Sequence, residues 1–283
     1  MNPGIDYETK MARLECLNRY CTILLGDEPE RQLIKIPLTS NRIPSNGLFL
    51  GEQIINANIS VKRVLELGAG KYAPASFIIL SAYSGISVDA VEIQGKEVKY
   101  LQGLIELNQL QKRFHIFAGN LFEPVAGLKY DLIYSNIAQL PLISDHKPNC
   151  HDHGGVDGWK WLTQIIELPP SSINLGGYLA LMVFDFLGIE DRANQSTQSL
   201  KERLENAGFK IIKKSAYRRE LRIGGQTHQA LNHILRLYPG AKFYDQDSLR
   251  VDPNKGIKDG RSVFFDFQFV LAQHNQKPDP TSY

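Results

Sequence analysis

Val64-Leu-Glu-Leu-Gly-Ala-Gly70 ends a short apolar run in a glycine turn led by an acid, and a second acid, Glu92, closes the next apolar run. A buried strand running into Gly68 and Gly70 lets the backbone approach a ligand closely, because neither position carries a side chain. Gly68, Gly70 and Ala73 also satisfy the loose G-x-G-x-x-G/A pattern of dinucleotide sites, with Glu92 at a spacing suited to a ribose hydroxyl. Glu66 separates the two readings, since a carboxylate near a pyrophosphate is repelled and a carboxylate near a cationic, phosphate-free ligand is not. S-adenosylmethionine is such a ligand. A dinucleotide and a purely structural strand-turn-helix are the alternatives.

Outward from this turn, strands and helices alternate. Strands are expected over 62–67, 87–92, 114–118, 131–135, 177–184 and 209–217, and a last one over 263–272. Helices are expected over 74–83, 96–107, 158–168 and 198–207, from apolar spacing, Pro74 near a first turn and Gly85 and Gly208 behind helix ends. Such alternation implies a mostly parallel sheet with helices on both faces and a ligand at the carboxyl ends of the strands. Residues 1–60 are expected to form an accessory segment: a helix over 6–25, a strand over 32–36, a turn at Ser45-Asn-Gly47 and a helix over 50–57. The remainder, 61–283, forms the main domain. Within it, residues 218–262 make a connection far longer than usual, expected to cap a substrate, with Arg222, His228, His233, Tyr238 and Tyr244 offering contacts.

The fourth strand runs into Asp131-Leu-Ile-Tyr-Ser-Asn136-Ile-Ala-Gln-Leu-Pro141, which puts Asn136 where an open α/β sheet binds substrate. The lone pair of an amide or aromatic amine is delocalised. An Asn oxygen that accepts from its NH₂ favours the pyramidal nitrogen needed for attack. The competing reading is that Asn136 merely organises a turn.

From Val64 to Phe209 the chain resembles the release-factor glutamine methyltransferases among the class I S-adenosylmethionine-dependent methyltransferases. Six stretches carry the resemblance in order: Glu66-Leu-Gly-Ala-Gly70, Val91-Glu92, Gly119-Asn-Leu-Phe-Glu-Pro124, Asp131-Leu-Ile-Tyr-Ser-Asn136, Gly154-Gly-Val-Asp-Gly158 and Gly176-Gly-Tyr-Leu179. The resemblance implies a Rossmann-like, seven-stranded α/β fold with an N-terminal helical segment and an insertion before the last strand. It further implies that Glu66, Gly68 and Gly70 hold the methionyl part of S-adenosylmethionine, that Glu92 accepts from the ribose, that Asn120 lies at the adenine amine, and that Asn136 contacts cofactor and acceptor. The family's Asn-Pro-Pro-Tyr motif is here Asn136-Ile-Ala-Gln139, without the rigid prolines and without the aromatic that lies against a planar acceptor. Gln139 is expected to hydrogen-bond a polar acceptor instead. Asn120 stands where the family has Asp, and Tyr72 where a third glycine is common.

Composition bounds the reading. The 283 residues are 43% apolar and 22% charged with a net charge of +2, which argues for a full core and gives no general case for a nucleic-acid partner. Lys210, Lys213, Lys214, Arg218, Arg219 and Arg222 form one local basic stretch, read as a solvated strand face. Three cysteines, an odd number, argue for a reducing compartment, and the chain has neither a membrane-spanning apolar run nor a signal-peptide pattern at its amino terminus, so a cytoplasmic location is expected. His146, Cys150, His151, Asp152 and His153 invite a metal reading, but no second ligand cluster accompanies them and no metal is expected. Asp157 is expected to cap the helix over 158–168. The lost aromatic, the long insertion and the absence of a basic surface together favour methylation of nitrogen on a small polar metabolite of amine, amide or guanidine type. The rivals are methylation of a protein glutamine or of RNA, and a non-catalytic cofactor-binding protein.

Overall fold

The computed structural model describes Ile34, Ile36 and residues 43–141, 153–167, 170–193 and 197–275. The helix expected over 6–25, most of the strand over 32–36, and His146 to Asp152 lie outside the described residues. The chain divides into two compact units that interleave in sequence, breaking after Asn136 and again inside one strand after Leu181.

The first unit opens with α1 (Ser45–Ile55), which begins at the Ser45-Asn-Gly47 stretch expected to be a turn. Pro44 starts it, and Gly47 and Gly51, one turn apart on the same face, let it lie close on α2 (Pro74–Ala82). A Cβ at Gly47 would stand 2.5 Å from the Pro74 ring, and one at Gly51 would stand 3.1 Å from the Ala75 backbone. Residues 45–55 thus pack onto α2. Between these helices runs β1 (Arg63–Leu67), followed after α2 by β2 (Ser87–Glu92), α3 (Gly95–Leu107), β3 (Phe114–Ala118) and β4 (Tyr130–Ser135). These strands are apolar on both faces and almost wholly buried in β1, β2 and β4, as expected where helices cover both sides of a parallel sheet.

Two acids fix the amino ends of these strands. Asp131 takes the amides of Lys62 (2.9 Å) and Arg63 (3.0 Å) on one oxygen and the Asn174 side chain (2.7 Å) on the other, tying β1, β4 and the start of β5 (Ile173–Phe184) together. Burial raises the Asp131 pKa, but those donors outweigh it and leave the carboxyl below its ordinary value. Asp89 on β2 receives Arg63 and the Tyr130 hydroxyl (2.9 Å), and its other oxygen faces His115 (3.0 Å).

The second unit holds 137–141, α4 (Lys160–Ile166), the end of β5, α5 (Leu200–Asn206), β6 (Phe209–Glu220), the insertion helices α6 (Gln226–Gln229), α7 (Leu231–Leu237) and α8 (Pro253–Lys258), and β7 (Phe264–His274). Phe184 stacks on Phe186 (4.6 Å) and lies against Phe267 (4.1 Å) and Phe265 (5.8 Å) at its centre. Trp159 rather than Asp157 is the N-cap residue of α4, although the Asp157 carboxylate does take the Trp159 amide (2.9 Å). Within the basic stretch Lys214 pairs with Glu190 and Arg218 with Asp266.

The seven strands form one sheet in the order β3-β2-β1-β4-β5-β7-β6, parallel from β3 through β5, with β6 and β7 antiparallel to each other. The order reverses between β1 and β4, the switch point at which open α/β sheets hold their ligands. Among the described residues no helix is long and apolar enough to cross a membrane, and no group of His, Cys, Asp and Glu has the arrangement of a metal site.

Replacing Gly47 by Ala adds helix propensity but drives a methyl into the Pro74 ring, so the variant should be less stable than the wild type by about 1–3 kcal/mol in urea denaturation.

Candidate active site

The carboxyl ends of β3, β2, β1 and β4, neighbours in the first unit, carry Asn120, Glu92, Glu66 and Asn136 respectively. The turn after β1 is built from the end of β2. Gly68 and Ala69 donate their amides to the Val91 carbonyl (2.9 and 3.2 Å), and Gly70 donates to the Glu92 carboxylate (2.9 Å). Gly68 and Gly70 have φ of 70° and 60°, the left-handed region that glycine enters without strain. A Cβ at Gly70 would touch nothing within 4 Å, so the face above the turn is open to close approach by a ligand. Tyr72, where a third glycine is common, is buried with its ring edge-on to Tyr100 (5.6 Å).

Glu92 is 6% exposed, and its second oxygen accepts the Gln94 amide (2.9 Å). Each oxygen retains a lone pair able to accept from a hydroxyl. The Gly119 amide donates to the Glu92 carbonyl (3.1 Å), which brings the end of β3 alongside; Asn120 follows it, half-buried, with its amide nitrogen donating to Glu123 (3.1 Å) and its oxygen left for other donors.

Glu66 is the member whose chemistry the sequence does not convey. It is 4% exposed and accepts from the Ser76 hydroxyl on α2, which also meets the fully buried Tyr134 hydroxyl on β4 (2.7 Å). Burial pushes its pKa from 4.5 up to about 8; the Ser76 bonds oppose the rise and the neighbouring Glu92 adds to it. Burial, with Glu66 beside it, likewise raises the Tyr134 hydroxyl well above its usual range. Burial thus favours the neutral form of Glu66 and weakens the charge repulsion expected from it toward a phosphate.

Asn136 follows β4 directly, half-buried, and its side chain makes no hydrogen bond to any described residue. Gln139, three residues on, differs. It is 2% exposed, its Nε2 donates to the carbonyls of Ile137 (3.0 Å) and Met182, and its Oε1 accepts the Phe184 amide (3.1 Å). Both amide hydrogens are taken by backbone, so the expectation that Gln139 contacts an acceptor is corrected: the side chain fastens its own segment to the end of β5.

Three of the insertion residues expected to meet substrate have partners within the second unit. His233 pairs with the Val156 carbonyl (3.1 Å), Tyr238 donates to the Asp157 carbonyl, and the Tyr244 ring lies under the Arg218 guanidinium at 3.9 Å.

Because the native state binds a proton on Glu66 that the unfolded chain releases above pH 4.5, wild-type stability should fall as pH rises from 4.5 to about 8 and level off beyond. Its slope should differ from that of Glu66→Gln by up to about 1.4 kcal/mol per pH unit, the value for one proton. Denaturant titrations of both proteins from about pH 5 to about pH 8 measure this; parallel curves would mean that Glu66 ionises normally.

No protein-family profile matches the chain. Over 221 residues it is 25% identical to the release factor glutamine methyltransferase of Aquifex aeolicus, covering 74% of this chain and 69% of that one. Over 133 residues it is 27% identical to the ribosomal protein uL3 glutamine methyltransferase of Bordetella pertussis, covering 44% of each. The crystal structure of a methyltransferase from Pyrococcus furiosus covers 94% of this chain and 100% of its own at 14% identity, with a TM-score of 0.47; the fold assignment rests on the sheet order rather than on that overlay. Both curated relatives are named for proteins they modify, which overturns the expected small-molecule acceptor. With its strand order and its similarity in sequence to these enzymes, the chain is a class I methyltransferase resembling the release factor glutamine methyltransferases.

Proposed function

We propose that the chain transfers a methyl group from S-adenosylmethionine to the side-chain amide of a glutamine in a protein of the translation machinery. The observation that carries this reading is Asn136: an amide at the carboxyl end of β4, beside the switch point, with both its oxygen and its NH₂ unused by described residues. The curated relatives' names, release factor and ribosomal protein uL3, supply the acceptor class.

The residues at the strand ends fit the cofactor. Glu92 offers acceptor capacity for ribose hydroxyls, the open turn at Gly70 admits the methionyl part, Asn120 has a free acceptor oxygen for an adenine amine, and Glu66 can neutralise an ammonium group once it gives up its proton. When bound, S-adenosylmethionine supplies a methyl group made electrophilic by its sulfonium. Asn136 does the rest of the work assigned here. Its side-chain oxygen accepts from the acceptor NH₂, holds the nitrogen in place and opposes the delocalisation that makes an amide a poor nucleophile. The tyrosine that lies against the acceptor in the family is missing, and Gln139 does not replace it, so orientation falls more heavily on Asn136.

The test is to incubate the purified protein with isotopically labelled methyl donor and unmodified release factor, ribosomal protein or ribosomal RNA, and to map the label by mass spectrometry. Label on a glutamine is expected; label in RNA alone, or in no macromolecule, overturns the reading. Asn136→Ala should lower turnover by at least ~10²-fold with cofactor affinity nearly unchanged. Glu92→Ala should weaken cofactor binding by about 1.5–3 kcal/mol in calorimetry, through lost hydrogen bonds to a buried charged acceptor.

A further inference from the structure

We propose that the insertion between β6 and β7 is a brace for the segment leaving Asn136, with Tyr238 and His233 as positioning residues that supply the rigidity the family draws from two prolines. The catalytic part of this proposal rests on the role of Asn136 given above. The mechanical part does not.

The brace is a chain of backbone contacts within the second unit. Its inner link joins the Gly154–Gly158 loop to residues 139–140: the Gly154 amide donates to the Leu140 carbonyl (2.9 Å), and Leu140 and His153 form a bridge. A Cβ at Gly154 would stand 2.5 Å from the Gln139 backbone, and one at Gly158, whose φ is 84°, would collide with the Gln139 carbonyl. Only glycine permits this contact at either position, which gives the Gly-Gly-Val-Asp-Gly motif a steric reason. Backbone meets backbone with no side chain between, so a displacement of the loop is passed to Gln139 with little loss.

The outer link joins the loop to the insertion. His233, on α7, pairs through Nε2 with the Val156 carbonyl at 3.1 Å while its Nδ1 faces Arg236 (2.8 Å), which leaves Nε2 as the donor. Tyr238, immediately after α7 and fully buried, donates to the Asp157 carbonyl. Its ring lies 5.6 Å from Phe186, which stacks on Phe184, and the Phe184 amide is itself bonded to Gln139. The insertion thus grips the loop on one side and shares an aromatic base with the Gln139 anchor on the other. Neither Ile137 nor Ala138 donates its amide to a described residue; the Ile137 carbonyl accepts from the Gln139 side chain (3.0 Å), a single bond where the family has two prolines.

The test compares Tyr238→Phe and His233→Ala with wild type by three readouts. Amide exchange of 137–140 and 153–158 should quicken about 2- to 10-fold in each variant, the equivalent of one lost neutral hydrogen bond, while exchange in β1 to β3 is unchanged. Acceptor turnover should fall by a similar factor with cofactor affinity within about 2-fold of wild type. Adding Ile137→Pro and Ala138→Pro in the Tyr238→Phe background should recover turnover and the slower exchange of Gln139 and Leu140, whose amides the prolines leave in place, because the pair fixes φ at both positions. Unchanged exchange in both variants overturns the brace, as does a loss of cofactor affinity in step with turnover, or quickened exchange that the prolines leave as it is. If the wild type methylates no protein, the proposed function fails while the exchange readout still decides whether the insertion holds the loop.

Discussion

The bond from the Gly70 amide to the Glu92 carboxylate is the contact on which the candidate site depends. It closes the turn after β1 onto the end of β2, and the same end of β2 carries the Gly119 amide on the Glu92 carbonyl. One residue thereby sets the spacing of three strand ends, and with it the positions of Gly68, Gly70 and Asn120. The two acids of this region are specialised in opposite directions. Glu92 is surrounded by donor amides and is equipped to accept from neutral hydroxyls. Glu66, a strand away, is enclosed beside Ser76, and burial favours its neutral form. A buried carboxyl without a cation is costly when ionised, and the cost is largest when no ligand is present.

What the sequence conveys, and what it withholds, divides along the reach of the interactions. The ranges for β2 and β3 are legible to the residue, because each is an apolar run bounded by turn residues, and in β2 burial on both faces is what a parallel strand inside a sheet requires. The strand-end positions of Glu66, Glu92, Asn120 and Asn136 follow from the same runs. Ser45-Asn-Gly47 reads as a turn because its composition is that of a loop, whereas Gly47 is there to let α1 approach Pro74. Gln139 misleads for a deeper reason. Its partners, Met182 and Phe184, lie more than forty positions away in sequence, and no local pattern shows that a polar residue beside a catalytic candidate is spent on the sheet. The Glu66 environment is hidden in the same way, since Ser76 and Tyr134 come from two other elements.

The proposed brace would stiffen the Asn136-Ile-Ala-Gln139 segment by a route physically different from proline. Proline constrains a segment locally by fixing φ and narrowing the choices of the residue before it. Here that constraint is replaced by contacts from outside: glycines that admit the loop against Gln139, and a helix that holds the loop by its carbonyls. The physical difference lies in where the entropy is lost. A proline removes it from the unfolded chain, at every moment and without partners. A brace removes it on folding, by ordering the insertion, and its hold on the segment is then only as firm as the weakest of its links. In the sequence His233 and Tyr238 read as polar groups able to meet a substrate; in the fold both aim at backbone carbonyls of the Gly-Gly-Val-Asp-Gly loop.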